Sequence, residues 1–238
     1  KKNRVGGKTY NFAANYGSGG AAAGDATVAA TNAASGTSKS AQFACTPGQL
    51  FSIFNVGAQE VLASENIRGS FVPVPVVKMY DGTAAFRRLF ATALYGMGFG
   101  EIGNAVVFTT VVGSNTVDLG QFSSTIKLDI GSVFQVTNGA LPSSTLRTSV
   151  NTVTAISGNS VTFTATAVET WAATDWIEIQ GCRSGSTPLL PIGLAGWLPN
   201  LAGRSGGTWT SYIGTSFYGV DRSVFPDRLA GTYVSRDV

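Results

Sequence analysis

The sequence contains no histidine, two cysteines and two methionines, and only 12% of its 238 residues are charged. Without histidine there can be no Ser–His–Asp triad, no Cys–His dyad and no imidazole metal ligand. Cys45 and Cys182 lie far apart, in neither a CxxC pair nor a metal spacing; they read as buried free thiols of a reducing compartment. No apolar run approaches ~18 residues, so no segment is read as a membrane span, and no signal peptide is visible. The net charge of +3 is small, and no Lys/Arg cluster is interleaved with aromatics. That argues against sequence-reading recognition of nucleic acid and leaves non-specific contact with nucleic acid nearby. Asp81, Glu101, Asp118 and Asp129 are scattered, with no spacing that pairs them for acid–base work. The runs GSGGAAAG and GMGFG lack the Lys-Ser/Thr ending of a phosphate loop. No cofactor, metal or catalytic set is therefore expected, and the chain is read as a non-enzyme. So low a charge content, about half of ordinary usage, implies a surface that meets other protein or one solubilised by Ser and Thr.

What is present is organised around one stretch, Val74 to Gly98. Val77, Tyr80, Ala84, Leu89, Ala93 and Met97 fall near helical spacing, with Phe86, Phe90 and Leu94 flanking and Lys78, Asp81, Arg87 and Arg88 on a polar side. Pro73 and Pro75 suit a first turn, and Gly96, Gly98 and Gly100 mark the end. A continuous helix here would be about 36 Å long at ~1.5 Å per residue, with Gly82 its weak point.

Residues 1–56 read as a long β-hairpin. Lys8–Asn15 and Gln42–Cys45 are strand-like, Gln49–Val56 reads as strand again, and a Gly/Ala/Ser/Thr tract from Gly17 to Ser40 forms the tip. That tip has too little apolar content for a core of its own, so the hairpin either stays solvated or lies on another subunit. Residues 57–72 suggest a short helix or turn around Glu60–Ile67. Beyond the helix, AVVFTTVV reads as a buried strand and Gly113–Asn115 as a turn. Residues 126–182 form a β block. Ile126, Leu128 and Ile130 alternate with polar neighbours, and Val150, Thr152, Thr154 and Ile156 share a face. Ser157–Ser160 is a hairpin turn, Val161 to Ala167 alternate strictly with threonines, and Asp175–Ile179 is a last strand. This block is either an inserted module or part of a larger continuous sheet. Residues 183–238 are loop-rich and dense in aromatics.

Three runs in that last segment carry a resemblance. They are GLAGWLP (Gly193–Pro199), FYGVDRS (Phe217–Ser223) and PDRLAG (Pro226–Gly231). With KLDIGSVF and ATDWIEIQG bounding the β block, and Asp81-Gly82 inside the helix, this order of motifs resembles the major capsid proteins of tailed bacteriophages with the Hong Kong 97-like fold. The resemblance implies an α+β fold with residues 1–56 as the E-loop hairpin and 57–99 as the peripheral domain with its spine helix. Residues 100–125 would start the axial domain, 126–183 would be an inserted small β-barrel or sandwich, and 184–238 would be an extended return segment of the axial/peripheral body. It also implies a structural protein of the virion, assembled in the host bacterial cytoplasm. Its partners would be copies of itself in hexamers and pentamers, scaffold and portal proteins, a decoration protein, and packaged double-stranded DNA held non-specifically. Candidate inter-subunit contacts are Lys8, Lys39, Arg87, Arg88, Trp197, Asp221 and Arg222. Arg87-Arg88 reads otherwise as a solvated face, and Asp221-Arg222 as a local ion pair or turn. Some relatives crosslink an E-loop lysine to another subunit, but no motif marks Lys8 or Lys39 for this. The family normally carries an N-terminal arm and continues past the Arg-Leu-Ala-Gly run, so the expectation is a longer protein or a reduced member. The alternative is a β-rich decoration or fibre protein with a binding module at 126–183.

Overall fold

The computed structural model of the chain describes residues 9–17, 22–35, 38–66, 74–120, 125–141, 144–198 and 216–224, together with Leu229. The fold is mixed α+β and mostly sheet. In chain order, β1 is Tyr10–Gly17, α1 Ala26–Ser35, β2 Lys39–Cys45, α2 Ala58–Asn66 and α3 Val74–Tyr95. Then come β3 Glu101–Asn104, β4 Phe108–Thr109, β5 Gly113–Asp118, β6 Val133–Asn138, β7 Thr145–Leu146, β8 Asn151–Ser157 and β9 Ser160–Ala165. The chain finishes with β10 Thr170–Trp171, β11 Trp176–Ile179, β12 Arg183–Ser184, β13 Thr187–Pro188, α4 Leu194–Trp197, β14 Ser216–Phe217 and β15 Val220–Asp221. Two compact units result, one of Lys1–Pro47 with Leu194–Val238 and one of Gly48–Gly193.

In the Gly48–Gly193 unit, an antiparallel sheet runs in the order β3-β11-β6-β8-β9-β5, with β7 paired to β6. The periodicity of β9 sets its core: Val161, Phe163 and Ala165 are buried, while Thr162 and Thr164 lie on the opposite face. Phe163 stacks on Trp171 at 5.6 Å and meets the edge of Phe134 at 5.2 Å. Trp171 and Phe108 reach this core from the two-stranded ribbon of β4 and β10. A buried polar knot closes one side. Asp175 accepts hydrogen bonds from the Arg147 guanidinium at 2.6 Å and from the Ala172 and Gly139 N–H groups.

Several expectations are corrected here. The sheet takes in β3 and β5, so it continues across the expected 125/126 boundary. The path β3 to β5 is an open sheet among the described strands and not a closed barrel. Gly113–Asn115 opens β5 and is not a turn. The run 105–112 is not uniformly buried: Ala105 and Thr110 point inward, whereas Val107, Val111 and Val112 are exposed. Ile126 and Ile130 are exposed on either side of the buried Leu128, in a turn that pairs with no strand among the described residues. On β8 the buried face is Asn151 and Val153, opposite to the face expected from Val150, Thr152 and Thr154, and an irregularity between Val153 and Ala155 lets Ile156 pack on the same core. The hairpin turn after β8 is confirmed, with Gly158 at φ 59°.

In the other unit, β1 and β2 pair antiparallel, with Phe12 opposite Phe43. The tract between them contains helix α1, which the sequence reading had left as a bare tip. Asp25 caps it, accepting from the Thr27 and Val28 N–H groups at 2.7 and 3.1 Å. These N–H groups hold the Asp25 carboxyl below its ordinary range. The root of the hairpin packs on its own chain. Phe43 is stacked on Phe12 at 4.8 Å and contacts Trp197 and Phe217. Ala44 N–H donates to the carbonyl of Tyr218 at 3.0 Å. Tyr218 and Gly219, both at positive φ, make the two-residue turn between β14 and β15. Of the motif runs, Phe217–Ser223 is described, Gly193–Pro199 is described to residue 198, and Pro226–Gly231 lies outside except for the buried Leu229.

Phe163 touches three other core rings with no exposure to solvent. Phe163→Ala should therefore lower stability by about 3–5 kcal/mol, read as a shift of the denaturant midpoint. A loss under about 1 kcal/mol would show that this cluster is not the centre of the sheet's core.

Candidate functional site

Helix α3 begins at Val74-Pro75, where the missing proline N–H costs little. It runs 22 residues, roughly 33 Å at ~1.5 Å each, and ends at Gly96, whose N–H still reaches the Thr92 carbonyl at 2.8 Å. Gly98 and Gly100 then take φ of 91° and 68°, which turn the chain into β3. Of the expected buried face, only the C-terminal part is covered. Leu89 and Ala93 pack with Cys182 and Leu190, and Met97 is buried just past the helix. Val77, Tyr80 and Ala84 lie open, and Tyr80 is 68% exposed. Phe86 and Phe90 stack on each other at 6.3 Å in partial exposure, and Leu94 and Tyr95 also face out.

The segment 49–56, expected to be a strand, has none. Its Ser52 hydroxyl donates to the Gly82 carbonyl of α3 at 2.8 Å. A side chain at Gly82 would come within 3.1 Å of the Phe54 ring. Gly82 is thus where the helix is closely approached. The apolar residues of this segment mostly point to solvent, with Phe51 at 72% and Ile53 at 91% exposure. A groove of about 590 Å³ opens between this segment, α3 and the turn at 127–133. Its hydroxyls are engaged by backbone: Ser52 donates to Gly82 O, and Ser132 accepts the Asp129 N–H at 2.9 Å. Across it Arg88 pairs with Asp129 at 2.5 Å and donates to Leu128 O, a tie from helix to sheet that holds the Asp129 carboxyl low. The α2–α3 pair is joined by Lys78 and Glu60 at 2.5 Å.

The sequence candidates are not gathered into one site. Lys8 lies outside the described residues. Lys39 is exposed at the start of β2, and Arg87 is exposed on α3, while its neighbour Arg88 serves the tie just described. Trp197 belongs to the aromatic cluster of the hairpin unit, with Phe217 at 4.6 Å. Asp221 is exposed, but Arg222 is fully buried: its guanidinium lies 4.0 Å over the Phe217 ring and donates to Trp197 O at 3.3 Å. Arg222 is therefore an internal post and offers no outward contact. Among the described residues no cluster of three His, Cys, Asp or Glu could hold a metal. Cys182 is buried and its thiol is pushed up to about 12 by that burial, so it is no thiolate nucleophile, and the half-buried Cys45 is raised as well.

Two glutamates escaped the sequence reading as a pair. Glu101 stands directly opposite Glu178 between β3 and β11. The available signal was Glu178 in the middle of Trp-Ile-Glu-Ile, a charge where a central strand has little water. Comparison of the chain with protein-family models, with curated proteins and with solved structures finds no match.

Gly82 has ordinary helical φ, and only one ring edge crowds it. Gly82→Ala should raise the thermal midpoint, worth about 0.5–1 kcal/mol, with Phe54 moving aside. A lowered midpoint would show instead that Phe54 is fixed against the helix.

Proposed function

We propose that the chain is a structural shell subunit, a major capsid protein of a tailed bacteriophage with the Hong Kong 97-like fold. It would assemble through hexamers and pentamers, with scaffold and portal proteins, around double-stranded DNA. The observation that carries this reading is the uncovered apolar surface along α3 and the 51–54 segment in a chain with few charges. Monomeric proteins rarely leave contiguous apolar surface of this kind open. The motif order in 193–231, the long helix at the resembling position and the hairpin with its exposed tip support the same reading. Shell assembly uses many weak repeated contacts whose sum is large, and a surface low in charge suits them. The alternative, a decoration or fibre protein with an independent head at 126–183, has less support, because that block shares its sheet with residues 101–118.

The test is assembly of the chain with and without its open apolar residues. The wild type should give large closed particles by light scattering and negative-stain imaging. Ile53→Lys with Tyr80→Lys should abolish particles while moving subunit stability by no more than about 0.5 kcal/mol, as surface changes do. A wild type that stays a monodisperse monomer at high concentration would sink the reading.

A further inference from the structure

Glu101 and Glu178 are paired across the β3–β11 ladder beside an irregularity between Ile177 and Glu178, and both are buried, at 6% and 1% exposure. Like charges directly opposite in a ladder destabilise it, and burial removes the water that would screen them. Their partners differ. Glu178 is held by Arg183, whose Nη1 lies 3.2 and 3.4 Å from the two carboxylate oxygens. That guanidinium also donates to the carbonyls of Ser144 and Gly185 and covers the Phe99 ring. Glu101 has no guanidinium. Its Oε1 accepts the Met97 N–H, and its Oε2 has no hydrogen-bond partner among the described residues. Lys127 acts on Glu101 from the 125–131 turn, but its ammonium donates to the backbone carbonyls of Glu101 and Ile102, at 3.3 and 2.9 Å. The Cys182 thiol is a further titratable neighbour of both carboxyl groups. From the turn that follows α3 the facing groups are backbone N–H groups, those of Met97, Phe99 and Glu101 itself, which favour the anion and oppose the effect of burial. Gly96 leaves the room the Glu101 carboxylate fills, since a side chain there would run into Glu101 Oε1 and Thr92 O.

We propose that Glu101 and Glu178 form a proton-binding site, in which one of the two carboxyl groups keeps its proton in the folded protein near neutral pH and thereby fixes the exit of α3 to the sheet. The proton turns one acceptor-only carboxylate into a donor and removes one of two opposed charges. Burial, offset in part by Arg183 and reinforced by Glu101, pushes Glu178 up to about 7 from its ordinary 4.5. Burial raises Glu101 too, against the opposing pull of backbone N–H groups and Lys127. The folded state thus binds the proton more tightly than the unfolded chain does. The stabilisation it gives is full below the ordinary value near 4.5 and is lost as pH rises toward about 7. The inference concerns the Gly48–Gly193 unit and does not rest on the shell reading.

The test uses the full chain. Glu101→Gln keeps an acceptor for the Met97 N–H and removes one titrating group, whereas changing Glu178 would strand Arg183. The wild-type thermal midpoint should fall between about pH 5 and pH 7.5, and Glu101→Gln should lose at least half of that fall. In parallel, infrared difference spectra of wild type carrying 13C-carboxyl glutamate should show a protonated glutamate at about pH 6 that vanishes by about pH 8. A midpoint in Glu101→Gln that tracks pH as the wild type does overturns the proposal. So does a wild type with every glutamate ionised at about pH 6, which decides the matter even if the variant fails to fold.

Discussion

The joint between the end of α3 and the sheet is the constraint on which the larger unit depends. A long helix lying on a sheet normally buries a continuous stripe. Here cover is confined to the last turns, where Leu89, Ala93 and Met97 meet Cys182, Leu190 and the 96–100 turn. The attachment at that point is strongly polar. Glu101 receives the Met97 N–H, Lys127 reaches the carbonyls of β3, and Arg183 anchors Glu178 in the neighbouring strand. Buried ionic groups seldom add net stability over well-packed apolar ones. What they add is geometry: the directed bonds of Met97 N–H to Glu101, Lys127 to the β3 carbonyls and Arg183 to Glu178 fix the direction in which the helix leaves the sheet. Arg88 and Asp129 repeat this logic about two and a half turns earlier, at a more exposed position where the pair is worth less.

The hairpin unit is held by a different force. Phe12, Phe43, Trp197, Phe217 and Tyr218 form a continuous set of ring contacts, and Arg222 closes it from below the Phe217 face. Aromatic pairs are worth about 0.5–1.5 kcal/mol beyond their buried area, and a desolvated cation over a ring about 2 kcal/mol. The run Phe-Tyr-Gly-Val-Asp-Arg-Ser thereby gains a local reason for each residue. Phe217 packs inward, Tyr218 and Gly219 take the positive φ that the turn requires, Val220 is buried, and Arg222 folds back on Phe217. A segment that looked like loop in the sequence is thus a small fixed template for the root of a hairpin.

How much could be read beforehand follows from where the signal is local. The helix at 74–95 and the strands with Val161, Phe163 and Ala165 were legible because their periodicity survives in the sequence. The Gly158-Asn159 turn was legible from its chemistry alone. Helix α1 was hidden because Ala, Thr and Asn carry no amphipathic pattern, although Asp25 ahead of an alanine-rich run was a capping signal. The face of β8 differs from the expected one because its inward residue Asn151 is polar, buried and hydrogen-bonded, and because a bulge after Val153 leaves no mark in composition. The strand expected at 49–56 failed because a strand needs a partner, and this apolar segment instead lies by α3 and gives Ser52 to Gly82. Neither the opposition of Glu101 and Glu178 nor the burial of Arg222 could be read, since both depend on pairings between distant parts of the chain.

The open apolar surface then sets the strength of what it can bind. Burying a side chain such as Ile53 or Phe51 gains roughly 1.5–3 kcal/mol, so a patch built from four of them gains on the order of 6–12 kcal/mol before costs. Association removes about 4–15 kcal/mol of translational and rotational freedom. A single contact of this kind is therefore weak or marginal, as the proposed shell reading requires of each separate contact. The same contact repeated around each subunit of a closed array becomes strong, because the entropy of each further bond is already lost once a neighbour is in place. A charged surface would resist this by repulsion at every one of those contacts. On the proposed reading the scarcity of charge and the uncovered helix work together: the one lowers repulsion between copies and the other supplies the apolar surface they would bury.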